Sequence, residues 1–296
     1  MNLVQVAVIG GAGRLGRYVV DEIAPNHDVV VVDRVGAGSA HRHVRADITS
    51  IEDLMTALDG CDAVIHVAGI DGHIDAQAKD FFAVNVFGTF NVLEAVRRLG
   101  IGRVIVTSST AATGLNATPD LTPAYLPIDE EHPLAPTDPY GIGKHLIEVM
   151  AEDFGTRHGI AVTCIRPTYI AFPELVPHLA SSTIPDDPRL AQMFQEPLPR
   201  LRSYVDPGEL ARCYRLALAL TEPGYQVFWA NAADTFDARS TLEYATHIYG
   251  DLPRISQPER YRKHPQAAMI DCSKAERLLG WTHVKSWRDV LSATQD

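Results

Sequence analysis

Residues 6–16, Val6-Ala7-Val8-Ile9-Gly10-Gly11-Ala12-Gly13-Arg14-Leu15-Gly16, run as a buried strand that breaks into a glycine turn and resumes as a helix. Gly10, Gly13 and Gly16 fall three apart. The first permits a tight turn, the second admits a diphosphate to the backbone N–H groups, and the third lets the helix pack closely. The N-terminus of that helix adds unpaired donors and partial positive charge, so the stretch predicts an anion site suited to a dinucleotide. Working outward, Val29 to Val32 is a second apolar strand that ends in Asp33, roughly 20 residues on, where a carboxylate meets the ribose hydroxyls of an adenosine.

The chain has 296 residues, enough for one well-cored α/β unit with a smaller lobe. Its formal net charge of -11 offers no basic stripe for phosphate contacts, which excludes nucleic acid and disfavours anionic membrane surfaces as partners. Cys61, Cys164, Cys213 and Cys272 are widely spaced and read as reduced thiols. No signal segment or membrane span is visible, and a cytoplasmic location is expected. His41 and His43 lack a third ligand, so no metal site is expected.

Further along, HVRADI (43–48), CDAVIHVAG (61–69), VIVTSS (104–109) and VTCIRP (162–167) read as strands, and QVFWAN (226–231) as a late one rejoining the sheet. Helices are predicted at 50–59 capped by Ser50, at 77–99 stopped by Gly100, from Pro139 to about Arg157 capped by Asp138, and over 204–220. Ser273 to Glu276 is read as a capping box opening a helix that ends at Gly280. Near-continuous Val and Ile strands alternating β-α-β-α-β-α-β-α-β mean burial on both faces, hence a Rossmann-type doubly wound parallel sheet. The nucleotide-binding unit is expected over 1–170 with 203–232 returning to it. Residues 171–202, rich in proline, and 233–296 are expected to form a smaller substrate lobe.

Tyr140 and Lys144 lie four apart and share a face of the Pro139 helix. A free tyrosine ionises near pH 10, so a base working near pH 7 needs a downward shift of about three units, or roughly 4 kcal/mol. An adjacent ammonium in a partly dry crevice is expected to supply most of it. Ser109, at the end of the preceding strand, can hold the same substrate oxygen.

These pieces, with Asp47-Ile48, His66 to Gly69, Asn85, Thr107 to Ser109, Arg166-Pro167, Ser203 to Asp206 and the closing DCSKAERLLGW, resemble the extended short-chain dehydrogenase/reductase superfamily of NAD-dependent epimerases, dehydratases and dehydrogenases. The resemblance spans nearly the whole chain. It implies that Gly10, Gly13, Arg14, Leu15 and Gly16 hold the diphosphate, that Asp33 with Arg34 beside it meets the adenosine ribose, and that Asp47 and Ile48 flank adenine. It places Val67, Ala68 and Gly69 along the cofactor, with Asn85 as a supporting helix residue. Lys144 would bond the nicotinamide ribose, and Thr168 to Ile170 would approach the carboxamide. Tyr140 becomes the acid/base and Ser109 its partner, with Thr110 as the alternative hydroxyl.

The cofactor implied is NAD, with NADP disfavoured by Asp33, and a homodimer through helices 77–99 and 139–157 is implied as well. Two stretches depart from the sugar-nucleotide epimerases: Thr110-Ala111-Ala112-Thr113-Gly114 stands where they carry Val-Tyr-Gly, and Tyr169-Ile170-Ala171-Phe172-Pro173 follows Arg166-Pro167. The first is closer to uronate-dehydrogenase-like members that oxidise free sugars. The expected activity is NAD-dependent oxidation or reduction at a secondary hydroxyl or carbonyl of a sugar-like substrate. A sugar-nucleotide epimerase, an NADPH-dependent carbonyl reductase and a dinucleotide-sensing regulator are the alternatives. Arg200, Arg202 and Arg239 are available to a carboxylate or phosphate but read as surface or structural arginines.

Overall fold

A computed structural model describes residues 4–36, 40–72, 74, 76–116, 118, 121–181, 183–191 and 200–293. Seven parallel strands form the central sheet: β1 (Gln5–Ile9), β2 (Asp28–Asp33), β3 (Arg42–Arg45), β4 (Ala63–His66), β5 (Arg103–Thr107), β6 (Ala161–Pro167) and β7 (Gly224–Ala230). Their order is β7-β6-β5-β4-β1-β2-β3. Strand order reverses between β1 and β4, the point at which open α/β sheets leave a crevice beyond the strand ends.

Consecutive strand residues feed opposite faces. Ala7, Ile9, Val30 and Val32 pack with Leu54, Val92, Val96, Ile147 and Phe154 on one side. Val6, Val8, Val29 and Val31 pack with Val19, Ile23, Leu210, Tyr214 and Trp281 on the other. Trp281 apart, the helices supplying these side chains are α1 (Arg14–Ile23), α2 (Ile51–Ala57), α3 (Gly88–Leu99), α4 (Pro139–Arg157) and α5 (Pro207–Ala217). Caps set their ends as the sequence requires. Ser50 accepts from Asp53 N–H, Asp138 from Gly141 N–H, and Asp206 from Gly208 and Glu209 N–H. Gly100 and Gly280 close their helices in the left-handed conformation, with φ of 69° and 65°.

Three expectations need correction. The strict β-α alternation fails between β2 and β3, which are joined by a loop with no helix among its described residues. The predicted helix over 77–99 is wound in three pieces: Ala78–Asp80, a π-helical stretch Phe81–Phe87, and α3. Ser273 does not open a capping box; it is the first helical residue, and its N–H donates to Asp271 Oδ1 at 2.9 Å because Asp271, two residues upstream, reaches the free donor first. Two further apolar clusters lie beside the sheet, one around Trp229, Tyr244 and Met269 and one around Phe172, Leu179, Tyr204 and Phe236.

Candidate active site

Parallel register brings the carboxyl ends of five strands to one edge, with Ile9 level with both Val32 and His66, His66 with Val106, and Thr107 with Ile165. Beyond that edge lies a cleft of about 850 Å³. Of the residues singled out from sequence, Gly10, Gly13, Arg14, Leu15, Gly16, Asp33, Arg34, Asp47, Ile48, Val67, Ala68, Gly69, Ser109, Tyr140, Lys144, Thr168 and Ile170 line it.

The glycine turn fits a bound diphosphate on steric grounds. Gly10 sits at φ +85°, and a Cβ there would stand 2.6 Å from the Ala68 backbone nitrogen. A Cβ on Gly16 would stand 2.0 Å from the Gly10 carbonyl oxygen, so the third glycine lets α1 close on the turn itself rather than on the strand. Gly13 caps α1 with its surface open, leaving the N–H groups of the first turn facing the cleft. Asp33 Oδ2 accepts from Ala12 N–H at 3.1 Å and Oδ1 from Val35 N–H at 3.2 Å, which ties the acid at the end of β2 to the turn. Arg14 pairs with Glu174 and lies 3.7 Å over the Phe172 ring, drawing the segment after β6 across the glycine turn.

Asp47 holds its own turn by accepting from Thr49 N–H and Oγ1, and these bonds keep its carboxyl below the usual range. Asn85 is a correction: it is absent from the cleft lining. Its Oδ1 accepts from Ile70 N–H at 2.7 Å and its Nδ2 donates to Ile70 O at 2.9 Å. It clamps the loop after β4 instead of meeting a cofactor. His66, buried at the end of β4, is pushed down to about 3 by burial and so stays neutral; its Nε2 lies 3.0 Å from Thr89 Oγ1.

At the other end of the cleft, Ser109 Oγ accepts from Ala111 N–H at 3.1 Å, which leaves its hydroxyl hydrogen free to serve the Tyr140 oxygen. Thr110 has no such freedom, because its hydroxyl donates to Pro167 O at 2.9 Å. Lys144 is buried and donates to Thr107 O at 2.8 Å, 5.7 Å from the centre of the Tyr140 ring. Burial pulls its pKa down to about 8, against the raising influence of Asp71.

The expected lowering of Tyr140 does not occur in the protein alone. Burial raises the phenol well above its ordinary value, and the Asp71 charge raises it further, while only the Ser109 hydrogen bond opposes them. The lysine's proton is directed at a backbone carbonyl, so near pH 7 the pair stands as a neutral phenol beside an ammonium. Gly72 explains the burial. A Cβ at 72 would lie 2.6 Å from Tyr140 Cδ1, so the backbone of the loop after β4 rests on the ring.

Sequence reasoning missed Asp71, Asn116 and Asp138 as lining residues; it also missed Glu148, which lies behind the cleft against Ser108 and Arg166. Glu148 was legible by spacing, one turn beyond Lys144 on the same face. It binds Arg166 through two contacts of 2.8 and 2.7 Å and accepts from Ser108 Oγ at 2.5 Å, tying α4, β6 and the end of β5 together. Arg200 donates to the Thr118, Leu121 and Ile248 carbonyls, Arg239 pairs with Asp237, and Arg202 lies by Phe236 and Tyr244; none lines the cleft. Among the described residues no cluster of His, Cys, Asp and Glu could hold a metal ion, and no helix is long and apolar enough to cross a membrane.

The profile of the NAD dependent epimerase/dehydratase family matches residues 6–223, and the chain belongs to that family of enzymes. It is 24% identical to a UDP-glucose 4-epimerase of Corynebacterium glutamicum over 94% of this chain and 90% of that one. It is 31% identical to an L-arabinose 1-dehydrogenase (NAD(P)(+)) of Haloferax volcanii over 55% of this chain and 66% of that one. Among solved structures, MoeE5 in complex with UDP-glucose and NAD superposes with a TM-score of 0.69 at 21% identity, covering 97% of this chain and 96% of that one. NAD is the cofactor of this family, and the glycine turn and Asp33 suit it.

Proposed function

We propose that the chain is an NAD-dependent oxidoreductase acting at a secondary hydroxyl or carbonyl of a sugar or sugar-like substrate. The observation that carries this reading is the convergence of Tyr140, Lys144 and Ser109 on the cleft that the glycine turn and Asp33 also line. NAD, when bound, supplies the hydride acceptor or donor. Tyr140 exchanges a proton with the substrate oxygen, and Ser109 donates to that oxygen as charge develops on it. Lys144, fixed by the Thr107 carbonyl, would hold the nicotinamide ribose, and Thr168 and Ile170 the carboxamide end. Gly10, Gly13, Arg14, Leu15 and Gly16 would hold the diphosphate, Asp33 the adenosine ribose, and Asp47 and Ile48 the adenine. Residues 1–170 with 203–232 form the nucleotide unit in this reading. Residues 171–202 and 233–296 form the substrate lobe; among the described residues, Phe172 and Leu175 are its contribution to the cleft.

Likeness to the Corynebacterium epimerase over nearly the full chain supports a second reading, a sugar-nucleotide epimerase that returns the hydride. Net NADH formation separates the two. A panel of free sugars, uronic acids and nucleotide sugars followed by absorbance is expected to yield NADH, and interconversion of epimers without NADH would select the second reading.

Asp33 should make the protein prefer NADH over NADPH, because a 2′-phosphate beside it places like charges within a few ångströms, worth about a hundredfold in affinity. Exposed Arg34, 4.0 Å from Asp47, is a residue that could favour the phosphate. Dissociation constants for both cofactors in wild type and Asp33→Ala check this: the variant should gain affinity for NADPH, and equal affinities in wild type would contradict it.

A second copy of the chain is the proposed partner. Phe82, Phe87, Phe90, Leu146 and Val149 are exposed, and Phe90 packs edge-on to Phe154 at 6.1 Å, joining α3 and α4 into one apolar face. Light scattering at micromolar concentration should give a dimer mass; a monomer would contradict the proposal.

A further inference from the structure

Three consecutive residues at the end of β5 divide their contacts between the cleft and the two faces of the sheet. The Thr107 carbonyl receives the Lys144 ammonium, and the Ser109 hydroxyl addresses the Tyr140 oxygen. Ser108 stands between them. Successive strand side chains point to opposite faces. Thr107 therefore turns to the α5 side, where its hydroxyl meets the His66 carbonyl at 2.8 Å and the Tyr214 hydroxyl at 2.7 Å, and Ser108 turns to the α4 side. There its buried hydroxyl donates to Glu148, which also holds Arg166 through both carboxylate oxygens. Arg166 in turn lies 5.3 Å from the centre of the Trp229 ring on β7 and donates to the Glu130 carbonyl at 3.4 Å. Past this anchor the chain leaves the sheet. The Ser108 N–H still donates to the Ile165 carbonyl at 2.8 Å, and Ser109 caps a short 3₁₀ turn over Thr110–Thr113.

We propose that Ser108, held by the buried Glu148–Arg166 pair, is a positioning residue for the reaction: it sets the end of β5 so that the carbonyl before it fixes Lys144 and the hydroxyl after it meets the substrate oxygen together with Tyr140. Packing alone asks for no hydroxyl at 108. A buried carboxylate already bound twice by a guanidinium holds a third donor in one direction, through a charge-assisted bond. Lys144 lies one turn before Glu148 on the same helix face, so the ammonium, its carbonyl partner and the serine hydroxyl are all placed with reference to one buried group. Close to the reacting atoms, a displacement of about 1 Å is worth up to about 10² in rate. The proposal rests on the oxidoreductase reading and deepens it by naming residues that act on the proton exchange through others.

The test compares wild type, Ser108→Ala and Glu148→Gln, using NAD and whichever sugar of the panel wild type oxidises fastest, and reads kcat, KM, NAD affinity, Tm and the pH dependence of kcat/KM. In Ser108→Ala, kcat should fall about 10- to 10²-fold while KM and NAD affinity stay within about twofold of wild type. With Lys144 less firmly placed beside Tyr140, the limb of kcat/KM that rises toward alkaline pH should move to higher pH. Glu148→Gln keeps an oxygen for Ser108 but loses the charge opposite Arg166. It should therefore lose more Tm than Ser108→Ala and less kcat, a crossed order that a purely structural role does not produce. A kcat for Ser108→Ala within about threefold of wild type with an unmoved limb overturns the proposal and leaves the oxidoreductase reading in place. So does a loss of kcat that follows Tm across the two variants or comes with an equal loss of NAD affinity. Failure of every sugar to reduce NAD in wild type removes the oxidoreductase reading and this proposal with it.

Discussion

Tyr140→Phe should lower kcat by about 10²- to 10⁴-fold, the usual worth of a positioned proton-transfer group, while NAD affinity stays near the wild-type value. The ring remains in the variant, so its edge-on contact with Phe81 at 5.7 Å and its seat beneath Gly72 persist. Only the oxygen that Ser109 addresses, and that exchanges the proton in the proposed mechanism, is lost. Steady-state rates and equilibrium titration with NAD check both halves. Turnover within a factor of a few of wild type would remove Tyr140 from the chemistry, and a large loss of NAD affinity would show that the phenol binds rather than reacts.

Glu148→Ala should be the most destabilising of the single substitutions considered. Glu148 and Arg166 are 4% and 3% exposed, and the carboxylate also holds Ser108. Truncation leaves a buried guanidinium without its counter-charge, at a cost of about 3–5 kcal/mol. For a chain of 296 residues that corresponds to a fall in Tm of about 5–8 °C. Glu148→Gln, which keeps one hydrogen-bonding oxygen, should fall between. Thermal unfolding of the three proteins is the measurement, and an Ala variant within a degree or two of wild type would contradict this account of the network.

Much of the architecture follows from local pattern. Strand runs of Val and Ile dictate burial on both faces, and Asp138-Pro139 starts a helix that ends at Arg157, as its cap requires. Gly10, Gly13 and Gly16 reveal their turn because each lacks a Cβ where the backbone leaves no space or where a ligand must approach. What the sequence leaves dark depends on a loop held from afar. Asp71 and Gly72 reach Tyr140 because Asn85, inside the π-helical stretch, grips both polar groups of Ile70. No spacing rule connects residues 70 and 85. The same loop accounts for the reversed direction of the Tyr140 shift: four-residue spacing puts Lys144 on the tyrosine's face but does not say that its ammonium turns to Thr107 or that a carboxylate arrives from another element. At Ser273 a local capping pattern yields to Asp271, whose carboxylate is nearer the free donor.

In the proposed function this cleft moves hydride between a sugar carbon and NAD under the control of Tyr140. Aldoses deuterated at each carbinol carbon in turn, incubated with wild-type protein and NAD, test it directly by mass spectrometry of the dinucleotide. Deuterium should appear in the reduced dinucleotide from one labelled position, and not with Tyr140→Phe. Deuterium that stays in the sugar at every position would contradict the claim.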